Sequence, residues 1–314
     1  MLRKSNSTYF CIPLVLTLAI TIAIAVVAAS FVGCRKSTVN GQLANNGQLQ
    51  STAQLIKTWD TLGEEVPPVI YEPLLEALPP VKAKVWAGTV SHHLLAYKQI
   101  DRWFSEIAQR RKVETFFIIC PSHYGLSSQE WSLDNCRWET INGIVYTDEK
   151  IESEIVRVLG VTYEPQVFPG EHGVNALIPY ISRYFPKAKV CVIAVHGEPP
   201  LNQKNAQKLA DALAPYFTDA GRKKNFLLIS TDFAHHGDLE GTEFKDTRSR
   251  EFFNAPSDSS WVFCGCDNRP GIYVISRFLT PETKNSVLFH TNSYELSGLD
   301  ENDITSYFFS LFYN

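Results

Sequence analysis

The stretch FIICPSHYG, Phe117 to Gly125, decides how the rest of this chain is read. Its first four residues are apolar without a polar interruption. With Thr115 and Phe116 before them, they predict a strand over Thr115 to Cys120 that is buried on both faces. Strands of that kind belong to parallel sheets covered by helices. Pro121 has no N–H to give a ladder, so the strand stops there. A hydroxyl and a histidine follow at once, and the question is whether His123 is an ordinary turn residue or is delivered to a site.

Working outward, strand-like and helix-like stretches alternate from Lys82 onward. Strands are predicted at Val85–Val90, Lys189–Val195, Phe226–Ser230, Ser286–Thr291 and, as a closing strand, Ile304–Tyr313. Helices are predicted at Leu94–Gln109, Asp148–Leu159, Val174–Tyr184, Asn202–Phe217 and Gly271–Leu279. Trp131–Tyr146 reads as a hairpin turning at Asn142-Gly143. The alternation predicts an α/β fold: a mainly parallel central sheet with helices on both faces.

The chain has 314 residues, 45% hydrophobic and 20% charged, enough apolar material for a substantial core. A net charge of -4 and a pI near 6.1, without a Lys/Arg run or a Walker-type loop, argue against nucleic acid as a partner. The N-terminus is different. After Arg3 and Lys4, an uncharged apolar run extends from Tyr9 to Val32. A helix of roughly 23 residues spans about 35 Å, enough to cross a bilayer. Residues 1–36 are therefore read as a signal-anchor or a lipoprotein-type signal. Val32-Gly33-Cys34 closes the run with small residues before a cysteine, although Phe31 stands where Leu is usual. The globular part is expected on a membrane, outside the cytoplasm. Residues 37–81 read as a polar linker, rich in Asn, Gln and Ser, followed by an extended segment with paired prolines. Residues 82–314 form the domain.

The eight histidines are not scattered. His92 and His93 fall just past one predicted strand, His123 past a second, and Asp232, His235 and His236 past a third. Glu171 and His172 open a helix. In an open α/β sheet, ligands bind beyond the carboxyl ends of the strands. A single such histidine is more often a turn or capping residue. Repetition at three strand ends favours a metal or acid/base site. His93 and His236 are second members of pairs, one of each pair expected to point inward. His196 and His290 are assigned to structure or surface. An anionic partner is offered by Cys264, Cys266 and Asp267 in WVFCGCDNRPGIYVI. The alternative for these thiols is a disulfide with Cys120, Cys136 or Cys191.

Five segments in order, VSHHLLAY, CPSHYG, GEHGVNALIPY, ISTDFAHHGD and FCGCDNRPGI, resemble the Memo-like family, called AmmeMemoRadiSam system protein B in bacteria. Its fold is similar to that of class III extradiol dioxygenases of the LigB type. The resemblance implies metal ligands at His92, His123 and Cys264, with Asp232, His235 and His172 carried into the pocket as catalytic candidates. Ser91, Gly173 and Asn175 depart from the family pattern. Two imidazoles and a thiolate would suit Fe(II) or Cu, with Zn as a further option. His235 and His172 would act as acid/base groups, with Asp232 orienting His235. The implied function is metal-dependent redox or oxygenase-type chemistry on a small molecule. The alternative is a non-catalytic module that binds metal, peptide or protein.

Overall fold

Phe117 and Ile119 pack on one side of a sheet, and Phe116, Ile118 and Cys120 on the other, as a strand buried on both faces requires. The computed structural model describes residues 53–196 and 202–314. Its elements run β1 (Gln54–Lys57), α1 (Trp59–Leu62), β2 (Val85–Val90), α2 (Tyr97–Arg110), β3 (Thr115–Pro121), β4 (Trp131–Leu133), β5 (Cys136–Thr140) and β6 (Gly143–Tyr146). Then come α3 (Glu149–Leu159), α4 (His172–Asn175), α5 (Ile178–Tyr184), β7 (Lys189–Val195), α6 (Gln203–Leu213) and β8 (Asn225–Ser230). The chain closes with α7 (Leu239–Asn254), α8 (Arg269–Arg277), β9 (Lys284–Asn292), α9 (Ser293–Ser297) and β10 (Ser306–Tyr313).

Seven strands form the main sheet in the order β4-β7-β3-β8-β2-β10-β9. The inner pairs β7–β3, β3–β8 and β8–β2 are parallel. The outer pairs β4–β7, β2–β10 and β10–β9 are antiparallel. The fold is thus mixed α/β, parallel at its centre. Helices cover both faces. Ile100, Trp103 and Phe104 of α2 and Ile181 of α5 pack on one face. Leu209 and Leu213 of α6, Phe252 of α7 and Ile275 of α8 pack on the other. Gly88 lets Trp103 cross β2, since a Cβ there would lie 2.7 Å from Trp103 Cζ2 and 2.3 Å from the Ser310 carbonyl oxygen.

The predicted hairpin divides. β4 joins the edge of the main sheet, while β5 and β6 pair around Asn142-Gly143, Gly143 adopting φ 125°. Buried Asp134 separates them: its Oδ2 accepts from Cys136 N, Trp138 Nε1 and Thr147 Oγ1, which turns the chain out of β4. β1, from the segment read as linker, pairs in parallel with β5 and completes a three-stranded sheet. The predicted helix over Val174–Tyr184 is two helices, because Pro179 starts a new one in its first turn. α7 was not visible as a periodic stretch because its buried side includes Thr242, Asp246 and Ser249. Among the described residues no helix is long and apolar enough to cross a membrane. The Tyr9–Val32 run lies outside the described residues.

Candidate metal centre

β3, β8 and β2 are neighbours, so the residues just past their carboxyl ends converge. Thr231 N donates to Val90 O at 3.0 Å and holds the exits of β8 and β2 together. His92 is buried, its Nδ1 2.9 Å from Ser230 Oγ. The Ser230 hydroxyl donates to the Gly173 carbonyl, so it accepts from His92. Nδ1 of His92 therefore carries the hydrogen, and the Nε2 lone pair faces the pocket. His123 is held the same way by a carboxylate. Its Nδ1 donates to Glu171 Oε1 at 2.6 Å, and its backbone N–H to Glu171 Oε2 at 2.9 Å. Carboxylate–histidine pairs of this kind orient metal ligands. Burial pushes the His123 imidazole down, but the Asp267 and Glu171 carboxylates outweigh it and raise it to about 9.

Asp267 completes the cluster. Its Oδ1 accepts from Thr231 Oγ1 at 2.7 Å and from Asp232 N at 3.0 Å. Its Oδ2 stands 3.4 Å from His92 Nε2 and 3.7 Å from both His123 Nε2 and His235 Nε2. Burial would raise the Asp267 carboxyl, but His123, and the charges of His92 and His235, hold it below the usual range. Three buried atoms at this point make no hydrogen bond: Asp267 Oδ2, His235 Nε2 and Asp232 Oδ1. Buried polar atoms without partners are rare in native structures and call for an explanation such as an ion. The separations agree. Donors sharing a tetrahedral or trigonal ion at about 2.1 Å lie roughly 3.4–3.6 Å apart.

His172 lies alongside. Its ring stacks on His123 at a centroid distance of 3.9 Å, and its Nδ1 is 3.0 Å from Tyr124 Oη. Ring nitrogens of His92, His123 and His172 lie within 4.8 Å of one another. Burial, then the charges of His92 and His123, lower His172 to about 4. The pocket has a volume of about 660 Å³ and is lined by six of the eight histidines: His92, His93, His123, His172, His235 and His236. Lys57 and Trp59, from the segment read as linker, form part of its wall.

The structure gathers His92, His123, His172, His235 and Asp232, but not Cys264. That thiol is 2% exposed, packs in the apolar core beneath α8 and does not line the pocket. Burial pushes it well above the usual thiol range. The reason is local. Asn268, the residue before α8, donates through Nδ2 to the Ile119 and Ser230 carbonyls at 2.9 Å each and accepts from Gly271 N. That anchor draws its neighbour Asp267 to the strand ends and leaves Cys264 behind in the core. Asp232 Oδ2 lies 3.7 Å from His92 Nε2. His290 pairs with Asp246 at 2.8 Å, outside the pocket. Cys120, Cys136, Cys191, Cys264 and Cys266 are all free thiols.

An α/β sheet that brings imidazoles and a carboxylate together past adjacent strand ends is the class of protein this geometry defines. The Memo-like protein family matches residues 93–296, well over half the chain, and the chain belongs to that family. A MEMO1 family protein of Pyrobaculum arsenaticum is 30% identical over 172 residues, 54% of this chain and 60% of the relative. One from Caldivirga maquilingensis is 26% identical over 176 residues, 56% and 58% of the two chains. One from Pyrobaculum aerophilum is 27% identical over 217 residues, 68% and 72% of the two chains. This chain spans about three fifths of the length of the first two.

Proposed function

We propose that this Memo-like domain holds a divalent, redox-capable metal through His92, His123 and Asp267, and binds a small molecule beside it. The observation that carries the reading is Asp267 Oδ2, a buried carboxylate oxygen without a hydrogen bond, within 3.7 Å of three imidazole nitrogens. Two imidazoles and a carboxylate suit iron as a facial triad, are equally a ligand set for zinc, and offer copper its imidazoles. Bound there, iron or copper supplies one-electron redox chemistry and Lewis acidity, and zinc the Lewis acidity alone. Ser230 and Glu171 keep Nε2 of His92 and of His123 turned inward, and a metal there would take the place of the His123 Nε2 proton. His172, neutral near pH 7, and His235 are the groups placed to take or return a proton. Asp232 adds negative charge against His92. The Tyr9–Val32 run supports a membrane-anchored arrangement for the whole chain.

Metal analysis tests the ligand set. The protein is reconstituted with Fe(II) without oxygen, alongside Asp267→Asn and Cys264→Ala. The parent and Cys264→Ala are expected to hold close to one metal per chain and to gain thermal stability from it. Asp267→Asn is expected to bind at least about tenfold more weakly, the loss already typical when only a residue supporting a ligand is removed. Equal loading in Asp267→Asn and the parent would remove Asp267 from the ligand set, and loss in Cys264→Ala alone would return the third position to the thiol. Turnover of a small molecule that depends on His235 would mark an enzyme; tight metal without turnover would mark a binding module.

A further inference from the structure

Both members of the His92-His93 pair face the pocket, although neighbouring residues of an extended chain point to opposite sides. The chain turns between them into a short 3-10 helix at Leu94–Ala96, and Ser91 Oγ accepts from His93 N at 3.0 Å. His93 is not needed for the ligand set just proposed, and no contact ties it to Asp267. It is nevertheless held firmly, with its Nδ1 2.5 Å from Tyr307 Oη. Tyr307 is fully buried on β10, its ring edge-on to the imidazole at 5.7 Å.

The hydrogen bonds specify which nitrogen carries the hydrogen. Of the two possible donors the phenol O–H is the stronger acid, and of the two possible acceptors the imidazole nitrogen is the stronger base, so Tyr307 Oη donates and His93 Nδ1 accepts. A neutral imidazole that accepts at Nδ1 carries its hydrogen on Nε2. Tyr307 thus makes His93 a hydrogen-bond donor on the pocket side of the cluster.

We infer that His93 is a ligand-binding residue: its Nε2–H donates to an anionic oxygen of the small molecule held beside the metal, and Tyr307 is the positioning residue that sets this tautomer. The inference rests on the metal-site reading and extends it to the ligand's chemical class, a small oxyanion such as a phenolate or carboxylate. The lining agrees with that class. Six imidazoles and Lys57 line the cavity, against the carboxylates of Asp232, Asp267 and Glu64.

The test uses zinc-loaded full chain, which avoids oxidation, with 4-nitrocatechol as the probe because its visible spectrum reports its ionisation. Compared with the parent, His93→Leu is expected to bind the probe about tenfold more weakly, the worth of one hydrogen bond to a charged oxygen. The pH at which the bound probe ionises is expected to rise by about one unit, since the donor favours the anion. His93→Gln, which keeps an N–H donor, is expected to restore most of both, and Tyr307→Phe to fall between. Zinc content is expected to stay at one per chain in all of them. A His93→Leu protein that holds zinc and matches the parent in affinity and probe ionisation overturns the inference. So does a zinc-loaded parent that does not bind the probe, whereas a parent that takes up no zinc overturns the underlying site reading and this inference with it.

Discussion

Asn268 ties the turn before α8 to the strand ends. Its side chain satisfies two strand-end carbonyls, from Ile119 on β3 and Ser230 on β8, and caps α8 at Gly271. Asn268→Ala would leave two buried acceptors without donors and remove a cap. The expected cost is about 3 kcal/mol, read as a lower urea midpoint at unchanged slope. Metal affinity should fall with it, because Asp267 loses the neighbour that holds it against Thr231 and Asp232. A variant as stable as the parent would show that the strand exits are held by other contacts. The same scale separates His92 from His93. One is oriented by Ser230 and the other by Tyr307, so two adjacent imidazoles present different faces to one pocket.

At the scale of elements, the exit from β4 and the start of α3 are joined by two buried carboxyls. Glu152 of α3 accepts from Asn135 N at 3.2 Å and from Val192 N at 3.1 Å, and it feels the charge of the buried Asp134 carboxyl. Burial, then the charge of Asp134, raises Glu152 well above the usual carboxylate range, so it keeps its proton in the folded protein. The unfolded chain releases that proton above about pH 4.3, while the folded protein retains it to a higher pH. The folded state therefore binds more protons, and this contribution to stability is full at acid pH and is lost as pH rises toward the folded value. Glu152→Gln removes the titrating proton. The thermal midpoint of the parent should fall more between about pH 5 and about pH 8 than that of Glu152→Gln. Parallel curves for the two proteins would show that folded Glu152 holds no proton in this range. β1 belongs to this scale too. Its residues alternate little and are mostly exposed, so only pairing with β5 makes them a strand.

At the scale of the whole molecule, the Tyr9–Val32 run predicts where the chain resides. The full chain is expected to sediment with membranes and to resist carbonate extraction, and removal of residues 9–32 is expected to release it. A full chain recovered in the supernatant would remove the anchor from the description. The domain itself was largely legible from residue order. The uninterrupted apolar runs at Phe116–Cys120 and Val190–Val195 determine strands buried on both faces, because no polar side has to meet water. Their parallel pairing then follows, and the histidines after them collect at one end of the sheet. What the sequence could not determine was which anion joins those histidines. Cys264 and Asp267 are three residues apart in one turn, and local pattern treats them alike. The choice is made by Asn268, which bonds a carbonyl 149 residues away and another 38 residues away, and so rotates the turn until the carboxylate faces the site and the thiol faces the core. Contacts between residues so far apart exist only in the folded sheet, which is why FIICPSHYG points to the site and only the tertiary structure identifies the carboxylate that meets His123 there.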